Sequence, residues 1–252
     1  MNYKEAYKEA LKLRDSGLTY SAIGKNLDIS KDTVFGWLVC GKSPNRPRNQ
    51  TLLPTSYNLT ACLSYILGVM KGDGFIRHSK YTSTIVLASK DLDFCQTFKG
   101  KLEEWSGIKC TDIIMRKDGL FEVTLSSKEA GNLIETFNLS KILGESNNIK
   151  SMIIRGLCDS EGSVIVSGYT RSVKIYGTNK KLLIFAKTLM KSLGVDSRLY
   201  HTMPSKNHFG KKIVYCISVR RKENIKKFSE IIGFSIQRKQ EKLNKLLSLY
   251  KR

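Results

Sequence analysis

At 252 residues, 41% of them apolar and 9% aromatic, the chain can bury one or two sizeable cores without disulfides or a structural metal. Its 43 basic side chains against 22 acidic ones give a formal charge of +21, an excess that points to a polyanion such as nucleic acid. No apolar run reaches the ~18 residues of a membrane span and the opening MNYKEAYKEA has no secretory segment, so a cytoplasmic protein with no membrane partner is expected. The six cysteines (Cys40, Cys62, Cys95, Cys110, Cys158, Cys216) are scattered singly, like small core residues in a reducing compartment. With three histidines, a metal would need carboxylates, which favours Mg²⁺ over Zn²⁺.

Residues 3–40 read as a unit. Tyr3–Asp15 keeps a helical apolar period and Gly17 ends it; Thr19 caps a short helix, Tyr20–Leu27, and Ser30 caps a third, Lys31–Leu38. Two short helices around a tight turn make a helix-turn-helix pattern, with Ser30, Lys31, Asp32, Thr33 and Phe35 at the start of the recognition helix. A plain three-helix bundle or a protein-docking module shows the same pattern, and the basic remainder of the chain favours DNA. Residues 41–58 hold three of the four prolines and read as a linker, in which Arg46 and Arg48 suit a phosphate backbone.

The remainder repeats itself, which predicts two pseudo-symmetric αββαββα halves, 59–144 and 145–252, in an α+β fold. In the first half an apolar helix, Leu59–Gly72, precedes strands Phe75–His78 and Tyr81–Ala88 and a helix Leu92–Trp105. Strands Ile108–Lys117 and Leu120–Ser126, joined by an Asp118-Gly119 turn, lead to a helix Lys128–Phe137. The second half gives helix Asn148–Ser160, strands Ser163–Val166 and Arg171–Gly177, and helix Lys180–Leu193. Strands Val195–Met203 and Lys212–Val219, a helix Lys222–Ile232 and a last amphipathic helix Ile236–Leu249 follow.

Each apolar helix ends in a small residue, one carboxylate and a glycine: Gly72-Asp73-Gly74 and Ser160-Glu161-Gly162. Gly68 with Gly72, and Gly156 with Ser160, stand four apart on one helix face, where small residues let two backbones approach. Side by side, the two helices would bring Asp73 and Glu161 together, and the following glycines would relieve the turn after each helix. Acids at helix C-termini oppose the helix dipole, and two together repel, so the pair calls for a cation.

Through these two motifs the chain resembles the LAGLIDADG homing endonuclease family in its single-chain, two-motif form, over roughly residues 59–232. The resemblance implies double-stranded DNA as partner, a monomer acting as a pseudo-dimer, and a saddle of antiparallel sheet on the DNA. It implies metal-assisted phosphodiester hydrolysis with Mg²⁺, Mn²⁺ substituting, held by Asp73 and Glu161 with the carbonyls of Gly72 and Ser160. Lys90, just past the second strand, matches the family's usual place for an assisting lysine; Lys180 and Lys212 are further candidates. Lys71 stands where the first motif's earlier acid is expected, and Asp159 keeps that acid in the second.

Strand alternation nominates DNA contacts. Ser172, Lys174 and Tyr176 oppose Val173 and Ile175; Lys212 and Ser218 oppose Ile213, Tyr215, Ile217 and Val219; Arg198, Tyr200 and Thr202 share a face, as do Glu122, Thr124 and Ser126. Arg116 joins these as a basic strand residue. Any one-sided sheet shows outward polar residues too. The paired acids favour a nuclease over a non-cleaving binder of the same fold, whether transcription regulator or RNA maturase. The start at Met1 and the end at Tyr250-Lys251-Arg252 favour a free-standing product of an intron or intergenic reading frame over an intein.

Overall fold

The computed structural model describes residues 3–40, 58–79, 82–168, 170–202 and 213–250, so Arg46, Arg48, Lys212 and the linker as far as residue 57 lie outside the described residues. The chain divides into two compact units, Met1–Thr51 and Leu52–Arg252.

In the first unit α1 (Tyr3–Asp15), α2 (Tyr20–Leu27) and α3 (Lys31–Leu38) close around Ala6, Ala10, Ile23, Val34 and Trp37. Thr19 and Ser30 cap α2 and α3, accepting the N–H groups of Ala22 at 3.3 Å and Thr33 at 3.1 Å. Asp28 ends α2 in the left-handed region at φ 53°, a conformation its short polar side chain tolerates, and this makes the turn tight. Lys31 is exposed and Thr33 half-buried, while Phe35 is 41% exposed and edge-on to Tyr20.

The second unit repeats one plan. Its first half runs α4 (Ala61–Met70), β1 (Phe75–His78), β2 (Ser83–Ser89), α5 (Leu92–Ser106), β3 (Ile114–Met115), β4 (Phe121–Ser126) and α6 (Lys128–Thr136), then a 3₁₀ turn at Leu139–Gly144. The second half runs α7 (Asn147–Glu161), β5 (Gly162–Ser167), β6 (Thr170–Gly177), α8 (Lys180–Ser192), β7 (Arg198–Thr202), β8 (Val214–Val219), α9 (Lys222–Ile231) and α10 (Gln237–Ser248). Both four-stranded antiparallel sheets have the same order, β1-β2-β4-β3 and β5-β6-β8-β7. One core spans both halves, from Leu63, Tyr65, Phe94 and Phe98 to Ile154, Met190, Phe228 and Leu243.

Several local expectations differ. The strand sought at 108–117 shrinks to Ile114–Met115 because the Thr111 hydroxyl, 3.2 Å from the Thr124 N–H, takes the place of a ladder carbonyl. Ile213, expected inside, is exposed just ahead of β8. Ser172 and Ser218 lie on the outer face yet are buried. The first sits directly opposite Ile165, and the second accepts the Arg220 Nε–H at 3.2 Å, so longer neighbours screen these short side chains.

Candidate functional site

Thr60 and Ser146 cap the two motif helices by accepting N–H groups from Leu63 and Ile149. The helices meet at their small residues. A methyl on Gly68 would overlap the Ile153 carbonyl and stand 3.1 Å from the Gly156 Cα; one on Gly156 would overlap the Tyr65 carbonyl and stand 3.2 Å from the Gly68 Cα. A turn further on, a methyl on Gly72 would strike the Ser160 side chain and lie 3.2 Å from the Glu161 Cγ. Main chain against main chain at this crossing is what draws the two acids together.

The helices leave the crossing differently. α4 stops at Met70, so Asp73 sits in the turn beyond it, whereas α7 continues to Glu161 and passes directly into β5 at Gly162. Neither Gly74 nor Gly162 has a positive φ, so neither relieves a left-handed turn. Each is needed for clearance: a methyl would lie 3.1 Å from the Met70 Cα in one copy and 2.9 Å from the Cys158 Cα in the other.

Asp73 reaches solvent, but the packed helix ends desolvate it enough to raise its carboxyl above the usual range; Lys239 opposes the rise and Asp91 adds to it. Glu161 is raised by the same desolvation and then by the charge of Asp73, again against Lys239. Each acid therefore keeps its proton to higher pH in the fold than in the open chain. The stability this confers is complete below the ordinary carboxylate range of about 4 and is lost as pH rises through the raised values. Glu161→Gln should accordingly raise the thermal midpoint in chelator at pH 7.5 but not at pH 4, and should reduce the further stabilisation that Mg²⁺ gives the wild type. An unchanged midpoint in chelator at pH 7.5 would refute this.

Sequence reasoning missed Lys239, on α10. It is 8% exposed, and its Nζ donates to the carbonyls of Cys158 at 3.2 Å, Asp159 at 2.5 Å and Ser160 at 3.4 Å. A buried cation thus closes the negative end of α7, and its own pKa is lowered by burial. Asp159 is buried beside it, accepting from the Tyr65 hydroxyl at 2.7 Å and the Ser235 N–H at 2.9 Å, so the motif's earlier acid ties α7 to α4 and to the approach to α10. The other end of the tie is in the first half: Asp91 takes Arg238 in a two-bonded pair at 2.5 and 2.7 Å, and Asp93 accepts the Gln237 N–H at 2.6 Å.

Lys90 is exposed beside this junction, lining a recess of about 440 Å³ with Asp91, Gln96 and Arg238. Lys180 is also exposed, its Nζ 5.8 Å from the centre of the Tyr215 ring. On the outer face of the second sheet, Ser163, Lys174, Ser218 and Arg198 form one cross-strand row, and Tyr176, Cys216 and Tyr200 the next. Arg220 stacks over Tyr200 at 5.6 Å. The matching face of the first sheet carries Arg77, Thr84, Thr124, Ser126 and Glu122. Arg116 is neutralised there by Asp118 at 2.9 Å and Glu122 at 3.2 Å. Among the described residues no three His, Cys, Asp or Glu side chains gather where they could hold a metal ion.

Residues 148–233 match the LAGLIDADG-like domain family. Structures of I-DmoI superpose on most of the chain. The complex with DNA and Mn covers 69% of this chain and 97% of its own at 21% identity and a TM-score of 0.52; the complex with DNA and Ca covers 78% and 100% at 18% and 0.54. The chain has the LAGLIDADG fold. Full-length DUF199/WhiA from Thermatoga maritima shares this fold too, with 17% identity, a TM-score of 0.54, and coverage of 81% of this chain and 64% of its own. An uncharacterized protein of Methanocaldococcus jannaschii, MJ0398, is 29% identical over 253 residues, covering 93% of this chain and 90% of the relative. A probable translation initiation factor IF-2 of the same organism is 26% identical over 89% of this chain, which spans 19% of that protein.

Proposed function

We propose that this LAGLIDADG chain is a site-specific double-strand DNA endonuclease, a homing endonuclease, working as a monomer whose halves take the two parts of a symmetric dimer. The observation that carries the reading is the meeting of Asp73 and Glu161 at the ends of crossing helices between two sheets of identical strand order. A divalent ion fits the donors there, which are all hard oxygens and include two acids, the charge of Asp73 raising the cost of ionising Glu161. Mg²⁺, with Mn²⁺ as substitute, would be held by Asp73, Glu161 and the carbonyls of Gly72 and Ser160, and such an ion lowers the pKa of a water and polarises a phosphodiester. Lys239 holds the end of α7 in place and shares the Ser160 carbonyl. The duplex would lie along the outer sheet faces, touching Lys174, Tyr176, Arg198, Tyr200 and Lys212, with Arg116 reaching it only by leaving its two carboxylates. Residues 1–40 would add a helix-turn-helix contact through Lys31 and Thr33, and Arg46 and Arg48 a backbone contact between them.

Two comparisons support a self-contained coding unit that moves between sites: a stretch like this chain makes up most of one relative and a fifth of another. One observation favours the non-cleaving alternative, since Lys239 already offers the acids a cation. The deciding experiment incubates the protein with DNA joined across the host gene's insertion point. Breaks in both strands with Mg²⁺ and none in chelator are expected; tight binding with both strands whole in Mg²⁺ and Mn²⁺ overturns the enzyme reading.

A further inference from the structure

A second polar recess, of about 450 Å³, opens where the start of β7, the end of β8 and the beginning of α9 meet, and neither acid of the pair lines it. Arg198, Arg220 and Arg221 border it together with Ser197 and Ser218. We propose that this recess seats one phosphate of the DNA backbone and so fixes the register of a duplex on the second sheet. The proposal rests on the reading of the chain as a DNA-binding protein.

Four features point to an anion. The three guanidinium groups share one concavity, and among the described residues none of them makes an ion pair. Among the described residues the buried Ser197 hydroxyl has no hydrogen-bond partner, so a donor there is open to an acceptor. α9 begins here with no side-chain cap on its first N–H groups, and a helix N-terminus of that kind favours an oxyanion. Arg221 is held at φ 69°, a left-handed conformation that L side chains rarely adopt, at the point that turns its chain into the recess. Asp196 also lines the recess, but it is exposed and pairs with none of the arginines, so the three guanidiniums outweigh it and the recess keeps a net positive charge. Arg198 and Ser218 continue the cross-strand row of Lys174 and Ser163, so a phosphate seated here would belong to a strand running along the sheet.

The test uses the full chain carrying Arg220→Gln with Arg221→Gly, the glycine being suited to φ 69°. The control carries Lys181→Gln with Lys191→Gln, two exposed charges on α8, which packs on the core side of the sheet. Binding to duplexes of unrelated sequence is followed as salt is raised. The recess variant should lose about one unit from the slope of log affinity against log salt, with about tenfold weaker binding on every sequence, and the control should keep the wild-type slope. Equal slopes in variant and control overturn the seat while leaving DNA binding intact; no binding of any duplex by the wild type overturns the DNA reading itself. Millimolar inorganic phosphate is tested alongside. If it raises the melting point of the wild type but not the variant, with no change in salt slope, the recess takes a free anion and the proposal fails. Should the double variant not fold, Arg198→Gln, on a strand's outer face, is read by the same slope.

Discussion

Asp73→Asn and Glu161→Gln should each lower strand scission by about three orders of magnitude or more, equivalent to about 4 kcal/mol of lost transition-state stabilisation, while duplex binding stays within about threefold of wild type. Each change keeps the shape of the side chain and removes only the charge. In the proposed site the two acids would be interdependent, since Gly72 lies against Ser160 and Glu161 and the charge of Asp73 is felt at Glu161, so an ion bound by one would be expected to need both. Losing either should therefore impair the cutting of both strands rather than one. Gel assays of nicked and linear products measure this directly. Wild-type rates from both amides would remove the acids from the chemistry, and loss of binding in parallel with cutting would recast them as structural.

The second large effect concerns the crossing itself. Gly68→Ala and Gly156→Ala should each destabilise the protein by about 3 kcal/mol, near the upper end of what overpacking costs, because the added methyl meets main-chain atoms of the facing helix that cannot turn aside. Pushing the helices apart also separates Asp73 from Glu161, so cutting should fall even at temperatures where the variant stays folded. Gly100→Ala, inside α5 with open space around it, is the control and should be neutral or stabilising by about 0.5–1 kcal/mol through helix propensity. Urea unfolding of the three proteins separates these outcomes; unchanged midpoints for the first two would mean that the helices tolerate a wider crossing.

What could be read in the sequence was mainly local or repeated. Thr19 and Ser30 announce helix starts by chemistry that acts within three residues, and α1, α2 and α3 fall at the expected positions. The doubled strand order follows from the doubled apolar pattern, and the matched acids follow from aligning the two copies. What stayed hidden depends on which distant residues meet. Asp91 and Arg238, 147 residues apart, carry no shared periodicity. Lys239 did leave a trace: Ile236, Lys239, Leu243 and Leu246 stand on one helical stripe, and a lysine among three buried apolar residues there signals a buried partner. In a chain with 43 basic residues that trace was easy to pass over. The unequal helix exits were hidden as well, since Gly72-Asp73-Gly74 and Ser160-Glu161-Gly162 look interchangeable as letters but leave their helices in different conformations.

The two sheets share a blueprint but not a chemistry. Lys174, Arg198, Arg220 and two tyrosines line one outer face, while on the other Arg77 stands with Thr84, Thr124, Ser126 and Glu122, and Arg116 is tied up by carboxylates. A duplex resting on both would be gripped electrostatically by one arm and probed by hydroxyls on the other. Its preferred sequence would then have no reason to be a palindrome. Changes in ionic strength would loosen one flank of the recognised segment well before its opposite.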